Sequence, residues 1–174
     1  MGDLAGAQAQ VAQTVSAMRE LIRRSSDDPV VGGAAAWLRR KFGSDPRAYV
    51  AGAWRLLGAV PYEYDPPGIE LVRSPDQFLA QLGELAGDCD DQTVLMGALL
   101  HHVKAPTRPD RLHLATVSTR PDKMPHHVFL LWRKIPIDPI MSTGGKSHPA
   151  TRPRWPGWWV GSESRVTALQ TTEV

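Results

Sequence analysis

The sequence contains no asparagine and only one cysteine, and each of these facts excludes several kinds of functional or structural site. Without asparagine the chain has no N-glycosylation site and no catalytic Asn. One cysteine excludes an internal disulfide and a zinc site built from four thiolates. No segment approaches the roughly 18 apolar residues of a membrane helix. A net charge of only +2 gives no argument for nucleic acid or an anionic membrane, so we expect neither as a partner.

The composition is that of one ordinary globular domain. The 174 residues are 42% hydrophobic and 22% charged, and a chain of this length can bury a core without disulfides. The start, Met1-Gly2-Asp3, lacks the basic residues of a secretory signal, so no secretion by a visible signal is expected.

Apolar residues spaced by three and four predict helices in the first hundred residues. One runs from Leu4 through Ile22. Asp28-Pro29 and Asp45-Pro46 each have the pattern of a cap followed by a first-turn proline, and they open a second and a third helix. A fourth is expected from Ser74 through Leu85 to Gly87. The most apolar helix covers residues 88–102.

After Pro109 the period changes to two, which is typical of strands. We predict strands over Leu112–Thr119, His127–Trp132 and Ile135–Asp138. Residues 141–174 are rich in Pro, Gly and Trp and are expected to fold back over the domain. Helices followed by a small antiparallel sheet define an α+β fold.

Cys89 lies in Gly87-Asp88-Cys89-Asp90-Asp91, at the predicted start of the most apolar helix. Unpaired backbone N–H groups and the helix dipole favour a thiolate there, whereas the three aspartates oppose a further negative charge. Taken alone, a single cysteine is more often an inert buried residue than a nucleophile.

Two later residues change this balance. His127 begins one predicted strand and Asp138 ends the next, so neighbouring strands place both side chains at the same side of the sheet. Cys89, His127 and Asp138 then supply a nucleophile, a base and the group that orients the base.

These motifs resemble the transglutaminase-like superfamily, with its papain-like Cys-His-Asp triad. The resemblance is carried by Gly87–Asp91 with the apolar residues that follow, by His127-Val128-Phe129 and by Ile137-Asp138-Pro139. Tyr64-Asp65-Pro66 resembles small bacteriophage and prophage members in particular. The resemblance implies a transglutaminase-like core over 59–140, preceded by a helical region over 1–58 and followed by the tail over 141–174, in a single domain overall.

The resemblance also implies site roles. Cys89 is the expected nucleophile, His127 the general base and acid, and Asp138 the orienting residue. The backbone N–H of Cys89 is one oxyanion donor, and Tyr62, Tyr64 and Gln81 are candidates for the second. Asp90 and His126 are expected on the wall of the substrate site. His126 competes with His127 for the role of base, and the motif favours His127.

The expected function is cysteine-dependent acyl transfer, most simply hydrolysis of an amide or peptide bond in a protein or peptide substrate. Asp90 replaces the Trp that follows the cysteine of crosslinking transglutaminases, which argues against crosslinking. No cofactor is expected. Asp88, Asp90 and Asp91 with His126 could suggest a metal site, but the run fails the calcium-loop pattern and suits a helix cap, so no metal is predicted.

An alternative function belongs to another class. The N-terminal amphipathic helix and the Trp155, Trp158 and Trp159 cluster could dock a virion protein, which would make the chain a phage or prophage assembly component without turnover. The expected location is the cytoplasm of a bacterial host or the virion.

Overall fold

The computed structural model describes residues 4–66, 69–82, 84–103, 112–118, 127–132, 135–139 and 168–174. Within these residues, helices come first and an antiparallel sheet follows, so the α+β prediction is confirmed. No helix in the described part of the chain has the length and apolar character to cross a membrane.

Five helices are described: α1 (Leu4–Ser25), α2 (Pro29–Phe42), α3 (Pro46–Leu57), α4 (Pro75–Ala80) and α5 (Cys89–His101). The predicted cap at Asp45 is confirmed, and Asp28 caps α2 in the same way, whereas the Ser74 side chain before α4 makes no cap hydrogen bond. The Asp28 carboxylate accepts hydrogen bonds from the N–H groups of Val30 and Val31, and the Asp45 carboxylate accepts one from Ala48. In both cases proline fills the first helical position, where its missing N–H leaves nothing unsatisfied.

The predicted extension of α4 to Leu85 is wrong. The helix ends at Ala80, and the carbonyl of Gln81 then accepts turn hydrogen bonds from the N–H groups of Glu84 and Leu85. The apolar spacing of Leu82 and Leu85 matched a helix, but the two residues pair with each other in a turn, from which Leu82 packs on the core. This turn brings Gly87 beside Tyr62.

Helix α5 forms the centre of the core. Every residue from Asp90 to Leu100 is buried, and α1, α2, α3, α4 and strand β2 (His127–Trp132) all contact the helix. A helix that is buried on all sides is held by packing rather than by its own helix propensity. The position of Cys89, its first residue, is therefore set by the core.

The sheet contains β1 (Leu112–Ser118), β2, β3 (Ile135–Ile137) and β4 (Ala168–Glu173), in the antiparallel order β3-β2-β1-β4. The first three match predicted strands within one residue. Strand β4 was missed, because Ala168–Glu173 is mostly polar and carries no alternating apolar pattern. It pairs with β1, with Thr116 opposite Gln170.

The two faces of the sheet have different neighbours. Leu114, Val128 and Leu130 join the core that surrounds α5, whereas Ala115, Val117 and Phe129 form a second apolar cluster with Leu131. Side chains alternate along a strand, so His127 shares its face of β2 with Phe129. The two rings are stacked, with centroids 5.9 Å apart.

The tight crossing of α1 over α5 gives a stability prediction. A Cβ on Gly97 would lie 2.6 Å from Ile22 Cδ1, whereas a Cβ on Gly33, at an exposed position of α2, meets nothing within 4 Å. Gly97→Ala should lower the free energy of unfolding by about 1–3 kcal/mol through overpacking. The matched Gly33→Ala should raise it by about 0.5–1 kcal/mol. Urea unfolding measures the free energy of unfolding of both variants. A similar increase in the two would contradict the close contact of Gly97 with Ile22.

Candidate functional site

Cys89 is the first residue of α5 and follows the cap residue Asp88. The Asp88 side chain accepts a hydrogen bond from the backbone N–H of Asp90, at 3.2 Å. The thiol is free and half-buried. The predicted location at a helix start is confirmed, and it places the sulfur where backbone N–H groups lack partners within the helix.

His127 and Asp138 are in direct contact. His127 Nε2 lies 2.7 Å from Asp138 Oδ2, and the two side chains are 14% and 7% exposed. The β2–β3 pairing explains the contact, because Leu130 faces Ile137 and Asp138 follows directly after it. The antiparallel pairing of β2 with β3 therefore brings the predicted pair together.

The Cys89 side chain also acts on His127, both through its charge and as a hydrogen-bonding group, and both effects raise the pKa of the imidazole. Nε2 of the same ring is engaged with Asp138. Burial lowers the pKa of His127, but Asp138 and the charge on Cys89 outweigh burial and raise it from 6.5 to about 10. The raised pKa keeps the His127 imidazole charged at neutral pH, next to the Cys89 side chain.

Pro61–Glu63, which lies between α3 and α4 in the chain, packs against the start of α5. Gly87 N–H donates to the Pro61 carbonyl at 3.0 Å, and Glu63 N–H donates to the Gly87 carbonyl at 3.3 Å. A Cβ on Gly87 would lie 2.7 Å from the Phe78 ring and 2.8 Å from an Asp91 carboxylate oxygen. Only glycine permits this close approach.

Arg73, just before α4, forms a second contact between the α3–α4 connection and α5. Its backbone N–H donates to Asp91 Oδ1 at 2.7 Å, and its guanidinium pairs with Asp91 Oδ2. Burial raises the pKa of Asp91, whereas the contacts with Arg73 oppose that effect. Sequence reasoning missed this clamp, since no local pattern links residues 18 positions apart.

Asp90, expected on the wall of the substrate site, is a buried residue in the first turn of α5. It is 2% exposed, and its Oδ1 accepts a hydrogen bond from the backbone N–H of Asp91 at 2.6 Å, whereas its buried Oδ2 has no partner among the described residues. Burial, followed by the contact with Asp88, raises the pKa of Asp90 from 3.8 to about 10. Protonation of this carboxyl therefore relieves the repulsion between the close acidic side chains. His126, the other expected wall residue, lies outside the described residues.

The oxyanion candidates differ in position. Tyr64 is 67% exposed, and Gln81 is an exposed residue at the end of α4 whose described hydrogen bonds involve only its backbone. Tyr62 is half-buried and pairs with Gly87. Burial and then the charge on Cys89 strongly raise the pKa of Tyr62, so its hydroxyl lies within the field of the thiolate.

The carboxylates of Asp88, Asp90 and Asp91 could each offer an oxygen to one cation, with these atoms all within 4.8 Å of one another. The surroundings explain the cluster in another way. Asp91 is paired with Arg73, and the raised pKa of Asp90 keeps its carboxyl protonated at neutral pH. Protonation and the arginine together relieve the repulsion that a cation would otherwise have to offset.

Comparisons with known proteins give no match for this chain, whether against protein-family models, curated proteins or solved structures. The argument about function therefore depends on the geometry of the described residues.

The His127–Asp138 contact predicts a pH-dependent contribution to stability. A histidine whose pKa is raised from about 6.5 to about 10 stabilises the fold fully below pH 6.5, and this contribution is lost as the pH rises through about 10. Asp138→Asn should lower the free energy of unfolding by about 2 kcal/mol at pH 6.5 and by progressively less toward pH 10.

Urea unfolding at a series of pH values measures this difference. The exposed Asp27→Asn serves as the control and should change stability little. If the free energy of unfolding of Asp138→Asn falls further below that of the wild type as the pH rises from 6.5 to 10, the ion pair is contradicted.

Proposed function

We propose that this protein is a cysteine-dependent acyl-transfer enzyme that hydrolyses an amide or peptide bond through a thioester. The observation that carries the proposal is the contact of His127 Nε2 with Asp138, together with the effect of the Cys89 side chain on the pKa of the same imidazole. Nucleophile, base and orienting carboxylate in hydrogen-bond contact are the arrangement that nucleophilic catalysis requires.

In the proposed reaction, the Cys89 thiolate attacks the carbonyl carbon, a C–S bond forms, and the carbonyl oxygen takes the negative charge. The imidazolium of His127 then gives its proton to the leaving amine as the C–N bond breaks. His127, now neutral, takes a proton from water, whose oxygen attacks the thioester and releases the acid and the thiolate. Asp138 holds the ring and stabilises its charged form throughout.

The proposed fold relationship is to the transglutaminase-like, papain-like enzymes. It is supported by the order of the parts: a cysteine begins a buried helix, a histidine begins strand β2, and an aspartate directly follows β3, the strand paired with β2. Asp90 in place of Trp favours hydrolysis over crosslinking, and a protein or peptide is the proposed substrate. A bacteriophage or prophage setting, in the host cytoplasm or the virion, follows from the same resemblance.

The alternative, a virion component that binds a partner without turnover, has less support. Its first motive was the amphipathic pattern of α1, but Met18 and Ile22 on that helix are completely buried, and α1 packs on α5. Its second motive, the Trp155–Trp159 cluster, lies outside the described residues. We therefore favour the enzyme.

The test uses p-nitrophenyl acetate as an acyl donor. Wild-type protein should release a burst of p-nitrophenolate while one acetyl group becomes attached to Cys89, located by peptide mass spectrometry, and Cys89→Ala should show no burst. His127→Gln should slow acetylation by about 10²- to 10⁴-fold, because the group that activates the thiol is lost.

His113→Gln is the matched control, since His113 lies on β1 and has no contact with the triad among the described interactions. It should acetylate at the wild-type rate. An equal burst from Cys89→Ala, or acetylation of another residue in the wild type, would refute the proposed enzyme.

A further inference from the structure

Attack on a carbonyl creates an oxyanion, and acyl-transfer sites stabilise it with hydrogen-bond donors placed beforehand, commonly two. The backbone N–H of Cys89, in the first turn of α5, is one such donor. The second has to come from an element that lies against the start of α5. Among the described residues, the backbone that pairs with this start is the segment Pro61–Glu63.

Tyr62 is the central residue of that segment. It pairs with Gly87, two positions before Cys89, and hydrogen bonds at 3.0 and 3.3 Å fix the backbone on both sides of it. Its side chain is half-buried, and its hydroxyl experiences the charges of both Cys89 and Asp88. Because burial and these charges raise its pKa, the phenol keeps its proton and can donate it in a hydrogen bond.

We propose that Tyr62 is a catalytic residue whose hydroxyl donates the second hydrogen bond to the oxyanion formed when Cys89 attacks. The inference rests on the proposed function and adds a role for a residue outside the triad. No covalent step involves the phenol: its O–H bond stays intact, and the hydrogen bond strengthens as charge develops on the substrate oxygen.

Tyr64, two positions further along the chain, contacts Tyr62 but is exposed to solvent, whereas Tyr62 is half-buried. The two rings meet edge to face with centroids 5.0 Å apart. Tyr64 is 67% exposed, so its hydroxyl is accessible to water. The Tyr62 hydroxyl is rotatable, and a charged oxyanion is a stronger acceptor than a neutral group, so the oxyanion takes the Tyr62 hydrogen bond as it forms.

Two reagents separate oxyanion stabilisation from other effects on Cys89. Acetylation by p-nitrophenyl acetate passes through a tetrahedral oxyanion, whereas alkylation by iodoacetamide is a displacement at a saturated carbon and forms none. Tyr62→Phe should slow acetylation of Cys89 by about 10²-fold and leave the alkylation rate at the wild-type value. Intact-mass measurements follow both reactions on the same samples.

Tyr49→Phe is the matched control. It also deletes a hydrogen-bonded tyrosine hydroxyl, one that donates to the Leu99 carbonyl at 2.9 Å near the other end of α5. Both of its rates should equal those of the wild type. Circular dichroism spectra that match the wild type establish that each variant is folded.

Three results would overturn the assignment: unchanged acetylation in Tyr62→Phe, equal slowing of acetylation and alkylation, or loss of acetylation in Tyr64→Phe but not in Tyr62→Phe. Each leaves rapid acetylation of wild-type Cys89, and with it the proposed function, intact. A wild-type Cys89 acetylated no faster than free cysteine would overturn both proposals.

Discussion

Burial of α5 on every side is the constraint on which the site depends. Four helices and β2 pack around it, so the helix cannot rotate or slide without opening the core. Its first residue is therefore held at a fixed height relative to β2, where His127 begins the strand. The same packing that stabilises the fold brings the thiol to the imidazole, and the site needs no flexible loop to assemble the pair.

The electrostatics around Cys89 are a balance of opposing charges. Asp88, Asp90, Asp91 and Glu70 crowd the helix start, and four ionised carboxylates there would disfavour a thiolate. Asp90 is protonated, Asp91 is neutralised by Arg73, and the imidazolium of His127 faces the sulfur. Each neutralised carboxyl leaves the positive helix end and His127 to act on the thiolate with less opposition.

The buried carboxyls also connect catalysis to architecture. Asp91 anchors Arg73, and Gly87 anchors Pro61 and Glu63, so both ends of the segment that carries Tyr62 are tied to the start of α5. A hydroxyl on such a segment keeps its position without a large entropic cost when substrate binds. Preorganisation of this kind is what makes an oxyanion donor effective.

Local chemistry explains how much could be predicted from the sequence. The caps at Asp28 and Asp45, the helix start at Cys89 and the paired strands before Asp138 each depend on residues close in the chain, and all were recovered. The early end of α4 and the Arg73–Asp91 clamp depend on tertiary contacts, which spacing alone does not encode. Strand β4 was not predicted because it is held by backbone pairing with β1, which leaves no alternating apolar pattern in its mostly polar sequence.

The burial of Asp90 also could not be predicted from the sequence. An aspartate next to a nucleophile looks like a residue of an open wall, since charged side chains are rarely fully buried. Its burial is compatible with the fold because burial and the neighbouring acidic groups raise its pKa and keep it protonated, and Glu70, from a distant segment, also interacts with it. Sequence order gave no reason to place Glu70 there.

The central claim is that Cys89 and His127 interact as one unit, and an NMR titration of the His127 ring in wild type and Cys89→Ala tests it most directly. The charge and hydrogen bond of Cys89 help to raise the pKa of His127 to about 10, so removing the thiol should lower the midpoint. An unchanged midpoint would show that the two side chains do not interact and would contradict the account.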